Sequence, residues 1–104
     1  MRLKSFKEVV TLLEKTIYTN GQKVYDLKGN RLVYYFKDGS IKAEGDFIKN
    51  RKEGQWNFYR KSGHLWKIGN FQKGLKHGSW QRYSEEGQVE YDALFEAGKL
   101  IKKM

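Results

Sequence analysis

The chain contains no cysteine and no proline. The first absence excludes disulfides, thiolate metal sites and cysteine nucleophiles, and it suits a reducing cytoplasm. The second means that no strand is interrupted by a residue without a backbone donor. No apolar run approaches the roughly 20 residues that a membrane-spanning helix requires. The opening MRLKSFKEVVTLLEKTI is broken by Lys7, Glu8, Glu14 and Lys15, so it has no signal-peptide core. Histidines number only two, His64 and His77, and neither stands at metal-ligand spacing from another His. Both fall in expected turns, where solvated side chains account for them.

What the chain has instead is positive charge, +9 over 104 residues, a length that fits one domain, 1–104. The charge is regional. Residues 37–82 carry eleven Lys or Arg and four Asp or Glu, whereas residues 83–98 carry five acids, Glu85, Glu86, Glu90, Asp92 and Glu96, and no base. The middle of the chain therefore suits an acidic partner.

The chain also repeats. Rows of 24 residues beginning at Asp38, Ser62 and Glu86 align without a gap. Gly39, Gly63 and Gly87 share a column, as do Ile41, Leu65 and Val89. Gly45, Gly69 and Ala93 follow, then Phe47, Phe71 and Phe95, then Asn50, Gly74 and Gly98. Gly54 matches Gly78, Trp56 matches Trp80, and Tyr35, Tyr59 and Tyr83 close the unit. Only Asn replaces Gly in the Asn50 column, which marks a turn that needs positive φ. Only Ala replaces Gly in the Gly45 column, which marks a strand position crossed by something bulky, with the neighbouring Trp as candidate.

Within each unit the apolar residues alternate, so the period is that of a strand. Strands are expected near 22–27, 31–36, 40–48, 55–60, 64–72, 79–84, 88–95 and 99–103. Residues 1–20 read differently. Ser5-Phe-Lys-Glu8 has the form of a capping box. Phe6, Val9, Val10, Leu13 and Ile17 follow helical spacing, and Asn20-Gly21 supplies a stop. The expected fold is mainly β (α+β): a single-layer antiparallel β-meander of stacked hairpin repeats over 22–104, with one N-terminal amphipathic helix packed on it. A helix of about 12 residues is roughly 18 Å long. Eight strands about 4.8 Å apart span roughly 34 Å. Such a helix leaves part of the Trp/Phe face bare, for a partner or a second copy to cover.

The columns resemble the MORN repeat, in its bacterial variant. The resemblance rests on Tyr35-Phe-Lys-Asp-Gly39, Glu44-Gly45, Asn50-Arg-Lys-Glu-Gly54 and Trp56-Asn-Phe-Tyr59. It is carried again by Tyr59-Arg-Lys-Ser-Gly63, Ile68-Gly69, Gly74-Leu-Lys-His-Gly78 and Trp80-Gln-Arg-Tyr83. It covers about residues 22–100 and departs from the pattern in the last copy, as in a terminal capping repeat. It implies an elongated sheet of stacked hairpins, and members with enzymatic activity usually carry it on another domain. Its bacterial members are often antitoxin-like, and its eukaryotic relatives are linked to scaffolding, membrane attachment and phosphoinositides.

No Ser has an evident base beside it, Glu85-Glu86 sits in a turn, and no glycine-rich loop leads from a strand into a helix. The expectation is therefore a non-enzyme without cofactor or metal. Its first functional reading is a protein-binding or scaffold module, antitoxin-like or self-associating. The alternative is a binder of anionic ligands, nucleic acid or acidic phospholipid, through stretch 37–82. The candidate surface is Tyr35, Tyr59 and Tyr83 with Arg60, Trp66, Lys67 and Arg82, where aromatics interleave with bases. A tyrosine in every repeat also fits a ladder that serves the fold alone.

Overall fold

The computed structural model describes residues 15–104. They form one antiparallel sheet with strands β1 (Tyr25–Lys28), β2 (Arg31–Tyr35), β3 (Ile41–Ile48), β4 (Arg51–Tyr59), β5 (Leu65–Gln72), β6 (Leu75–Lys76), β7 (Gly78–Tyr83), β8 (Val89–Glu96) and β9 (Lys99–Lys103). The strands lie in chain order, with the short β6 joining β5 beside β7. Apart from β6, each strand pairs with the next along the chain, antiparallel, as short turns between strands require.

Two turns alternate, and the repeat columns set both. Lys49-Asn50, Lys73-Gly74 and Ala97-Gly98 each form a two-residue hairpin with positive φ at both positions, the conformation that matches strand twist. The Asn/Gly column is thus the left-handed position that its substitutions indicated. The residue before it is left-handed too, which the variable Lys, Lys, Ala column hides. At the other end of each hairpin Gly39, Gly63 and Gly87 donate to Phe36, Arg60 and Ser84 carbonyls at 2.9–3.0 Å.

The Trp columns explain the strand glycines. Trp56 lies against Gly45 and Trp80 against Gly69, so closely that a Cβ at either glycine would overlap the indole. Each indole Nε1 donates to the carbonyl just past that glycine, Asp46 at 2.9 Å and Asn70 at 2.8 Å. Ala93 faces Lys103 on β9 instead of a third Trp, so its methyl group meets no indole from that side.

The expected mixed class is corrected by the structure: the described residues form an all-β sheet and contain no helix. The capping box Ser5–Glu8 and the apolar positions Phe6, Val9, Val10 and Leu13 lie outside the described residues. The expected end of the helix lies inside them and is a hairpin. Ile17 bridges Lys23. Tyr18 N–H donates to the Gln22 carbonyl and Gly21 N–H to the Tyr18 carbonyl, the pattern of the turn at Phe36–Ser40. Asn20 Oδ1 accepts from Gln22 N–H at 3.0 Å as Asp38 Oδ1 accepts from Ser40 N–H at 2.9 Å. Asn-Gly serves a hairpin as readily as a helix stop, and here the neighbouring turn decides. Tyr18 Oη donates to the Tyr35 carbonyl and Asn20 Nδ2 to that of Lys37.

The candidate interaction face

Alternation along the strands and the observed register give the sheet two unlike faces. One carries every buried hydrophobic residue among the described residues: Leu32, Ala43, Phe47, Trp56, Trp80 and Ala93. Its rings touch in sequence from Tyr25 to Tyr34, Trp56, Phe58 and Trp80, with centroids 6.1–6.3 Å apart. A second line runs from Trp56 through Phe71 and Trp80 to Phe95. Such tilted and edge-to-face pairs add to plain area burial.

No second layer of secondary structure covers this face among the described residues. Its own cations do. Lys52 Nζ lies 5.3 Å from the ring centroids of Trp56 and Phe71, and Lys76 Nζ lies 4.6 and 4.8 Å from those of Trp80 and Phe95. These are the same contacts one repeat apart. Lys67 caps Phe58 and Trp66 at 5.2 and 4.1 Å. Arg82 and Lys103 lie over Tyr91. The stems shield the rings while the charged heads stay at the surface. Trp56 is thereby 0 % exposed although it lies on the face of a single sheet.

The charges on this face are not balanced. Burial lowers the Lys52 pKa. Burial lowers that of Lys67 too, with the positive charges of Lys76, Arg82 and Lys52 adding to it. The carboxylates of the strands belong to the other face. Glu44 and Asp46 there meet Arg31 at 3.5 and 3.7 Å. Asp92 and Glu96 alternate with Tyr91, Ala93 and Phe95 and so project away from the rings. Among the described residues one carboxylate reaches a cation of the aromatic face, Glu90 to Arg82 at 3.3 Å. That contact is exposed on both sides and so is weak.

Glu90 reaches it from a bulge. The register shifts at the same place in each repeat, between Tyr34 and Tyr35, Phe58 and Tyr59, and Arg82 and Tyr83. The residues left without a cross-strand partner are Lys42, Trp66 and Glu90, again 24 apart. A bulge re-aims its extra side chain, and Lys42 and Trp66 are turned into a groove beside the Trp56 floor.

That groove has a volume of about 290 Å³ and is lined by Tyr34, Phe36, Lys42, Ala43, Lys52, Trp56, Phe58, Tyr59 and Trp66. A second depression of about 270 Å³ is lined by Lys67, Lys76, Trp80, Gln81, Arg82 and Tyr91. Six of the nine residues lining the first are aromatic and two are lysines, Lys42 and Lys52, whereas the second holds three cations and two rings.

The structure divides the residues picked from the sequence. Tyr59, Trp66, Lys67 and Arg82 line the two depressions, and Lys67 and Arg82 are direct cross-strand partners. Tyr35, Tyr59 and Tyr83 form a ladder by their hydroxyls, which donate to Asp26, Glu44 and Gln81 at 2.7–2.8 Å. Arg60 donates to the Tyr83 carbonyl and lies over Trp66. Sequence reasoning passed over Lys52 and Lys76. Their signal was present, because they are one column of the repeat, four residues before each Trp.

His64 Nδ1 bonds Ser62 Oγ in a turn, and His77 Nδ1 accepts from Ala97 N–H at 3.4 Å. Among the described residues no cluster of His, Asp and Glu could hold a metal ion, and no helix is long and apolar enough to cross a membrane. No family model matches the chain, and neither a curated protein nor a solved structure matches it.

Proposed function

We propose that this protein is a non-catalytic binding module whose aromatic face holds an anionic partner. One observation carries the reading: Lys52, Lys67, Lys76, Arg82 and Lys103 lie over the rings of one face, and among the described residues only Glu90 answers them. On the polar face the comparable cation, Arg31, has two carboxylates. Lys67, whose pKa is lowered by burial and then by the positive charges of Lys76, Arg82 and Lys52, gains from an added anion what it lacks within the sheet. The resemblance of the columns to the MORN repeat supports a binding role over a catalytic one.

An acidic protein surface, as an antitoxin-like scaffold would meet, and a polyanionic ligand both satisfy this reading. The test is equilibrium binding of polyglutamate and of oligothymidylate across a salt series. At least one binds at low salt, with affinity falling as salt rises. Failure of both to bind at low salt overturns the proposal.

A further inference from the structure

We infer that the occupant of this face is single-stranded nucleic acid, with bases against the aromatic groove and phosphates on Lys67, Lys76 and Arg82. The inference rests on the anion-binding reading above and names its partner.

The two depressions differ in chemistry and share a border. The first offers the partly exposed rings of Tyr34, Phe58 and Trp66, with Trp56 as a closed floor. The second is a cation cluster. Lys67 joins them, because its ammonium lies over Phe58 and Trp66 and it also lines the cluster. A flat apolar body beside an oxyanion is the chemistry of a nucleotide, and single strands are held by stacking platforms along a basic track. A glutamate-rich surface would answer the cations and leave the groove empty. A duplex hides its bases and could offer only phosphates.

The acidic stretch 83–98 does not oppose this. Asp92 and Glu96 project from the far face, and Glu85 and Glu86 lie in a turn. Glu90 alone must yield Arg82 to a phosphate.

Fluorescence anisotropy with labelled oligothymidylate, an abasic strand of equal length, the matching duplex and polyglutamate tests the inference. The thymidylate strand binds about tenfold or more tighter than the abasic strand. Trp66→Leu removes most of that preference. The Lys67→Gln, Lys76→Gln double variant keeps the fold, weakens both strands, and makes the slope of log affinity against log salt shallower by about 1.4. Abasic strand or duplex binding as tightly as the thymidylate strand overturns the inference. So does polyglutamate binding as tightly as the thymidylate strand, although the anion-binding reading then stands. Absence of binding by every probe overturns both.

Discussion

The two faces of this sheet solve the same electrostatic problem in opposite ways. On the polar face Arg31 is held by Glu44 and Asp46, and the hydroxyls of Tyr35 and Tyr59 by Asp26 and Glu44. On the aromatic face the cations have rings beneath them and one another beside them. The difference teaches that the aromatic face has two duties. Its indoles and phenyl rings hold the sheet together, and the lysines that shield them from water present unmatched charge. A single-layer sheet needs such shielding, because its apolar side has no second layer to bury it. A ring capped by a lysine is therefore a structural device and a binding surface at once.

The largest contrast between the faces is in stability. Trp56→Ala on the aromatic face empties the most buried ring position and destabilises by about 3–5 kcal/mol. Tyr59→Phe removes one hydroxyl bond, to Glu44 on the polar face, and destabilises by about 0.5–1.5 kcal/mol. Urea unfolding of both variants measures the difference, and similar losses would break the comparison. Next in size is Gly69→Ala, which thrusts a methyl group into the Trp80 indole. Overpacking of this kind destabilises by about 1–3 kcal/mol. Lys103 rather than an indole stands opposite Ala93 on β9, so Ala93→Gly changes stability by less than about 1 kcal/mol.

Smaller effects separate the faces by salt and by pH. Added salt screens repulsion among Lys52, Lys67, Lys76 and Arg82, so the thermal midpoint rises with moderate salt, and Lys67→Gln reduces that rise. A salt response unchanged in the variant would show that the lysines do not repel one another. The pH responses of the two faces arise at opposite ends of the scale. Asp26 has its folded pKa lowered, first by the hydrogen bond from Lys23 and then by that from Tyr35. Its contribution is present above the unfolded pKa and is lost as pH falls through the folded one. Asp26→Asn flattens the acid limb of stability against pH. Lys52 and Lys67 have folded pKa values lowered by burial. They release protons earlier when folded, so stability rises with pH between the lowered folded value and the unfolded one. Loss of that alkaline rise in a Lys52→Gln, Lys67→Gln variant, read from unfolding curves, assigns it to the aromatic face.

Much of this architecture was legible because the repeat compares the chain with itself. The Asn50, Gly74, Gly98 column gave the left-handed turn, and the Gly45, Gly69, Ala93 column gave the glycine beneath each Trp. The bulges were not legible. A bulge adds one residue to every copy, so the 24-residue period absorbs it, and Lys42, Trp66 and Glu90 look like ordinary strand positions. The turn at Tyr18–Gln22 was misread for a different reason. Leu13 and Ile17 satisfy helical spacing, and Asn20-Gly21 is compatible with both a helix stop and a hairpin. The tie is broken by the Asn20 and Asp38 side chains, which brace equivalent turns. The candidate site was found in part. Trp66, Lys67 and Arg82 were picked because they interleave rings and bases. Lys52 and Lys76 were missed because lysine in a repeat reads as solubility until its ring partners are seen. The tyrosine column was the reverse case, conspicuous in sequence and occupied by the fold in structure.

The most direct test of the account compares two charge-matched double variants. Lys67→Gln with Lys76→Gln removes two charges from the aromatic face, and Arg31→Gln with Lys102→Gln, the latter paired with Leu94 on the side away from Ala93 and Phe95, removes two from the polar face. Both lower the net charge equally, so non-specific attraction falls equally. Affinity is measured for oligothymidylate and polyglutamate at low salt. The account predicts that the aromatic-face pair weakens binding of the tighter probe by about tenfold or more, while the polar-face pair stays within about twofold of the parent. Equal losses from the two pairs would contradict it, because binding would then follow total charge and not the face that the rings and lysines build.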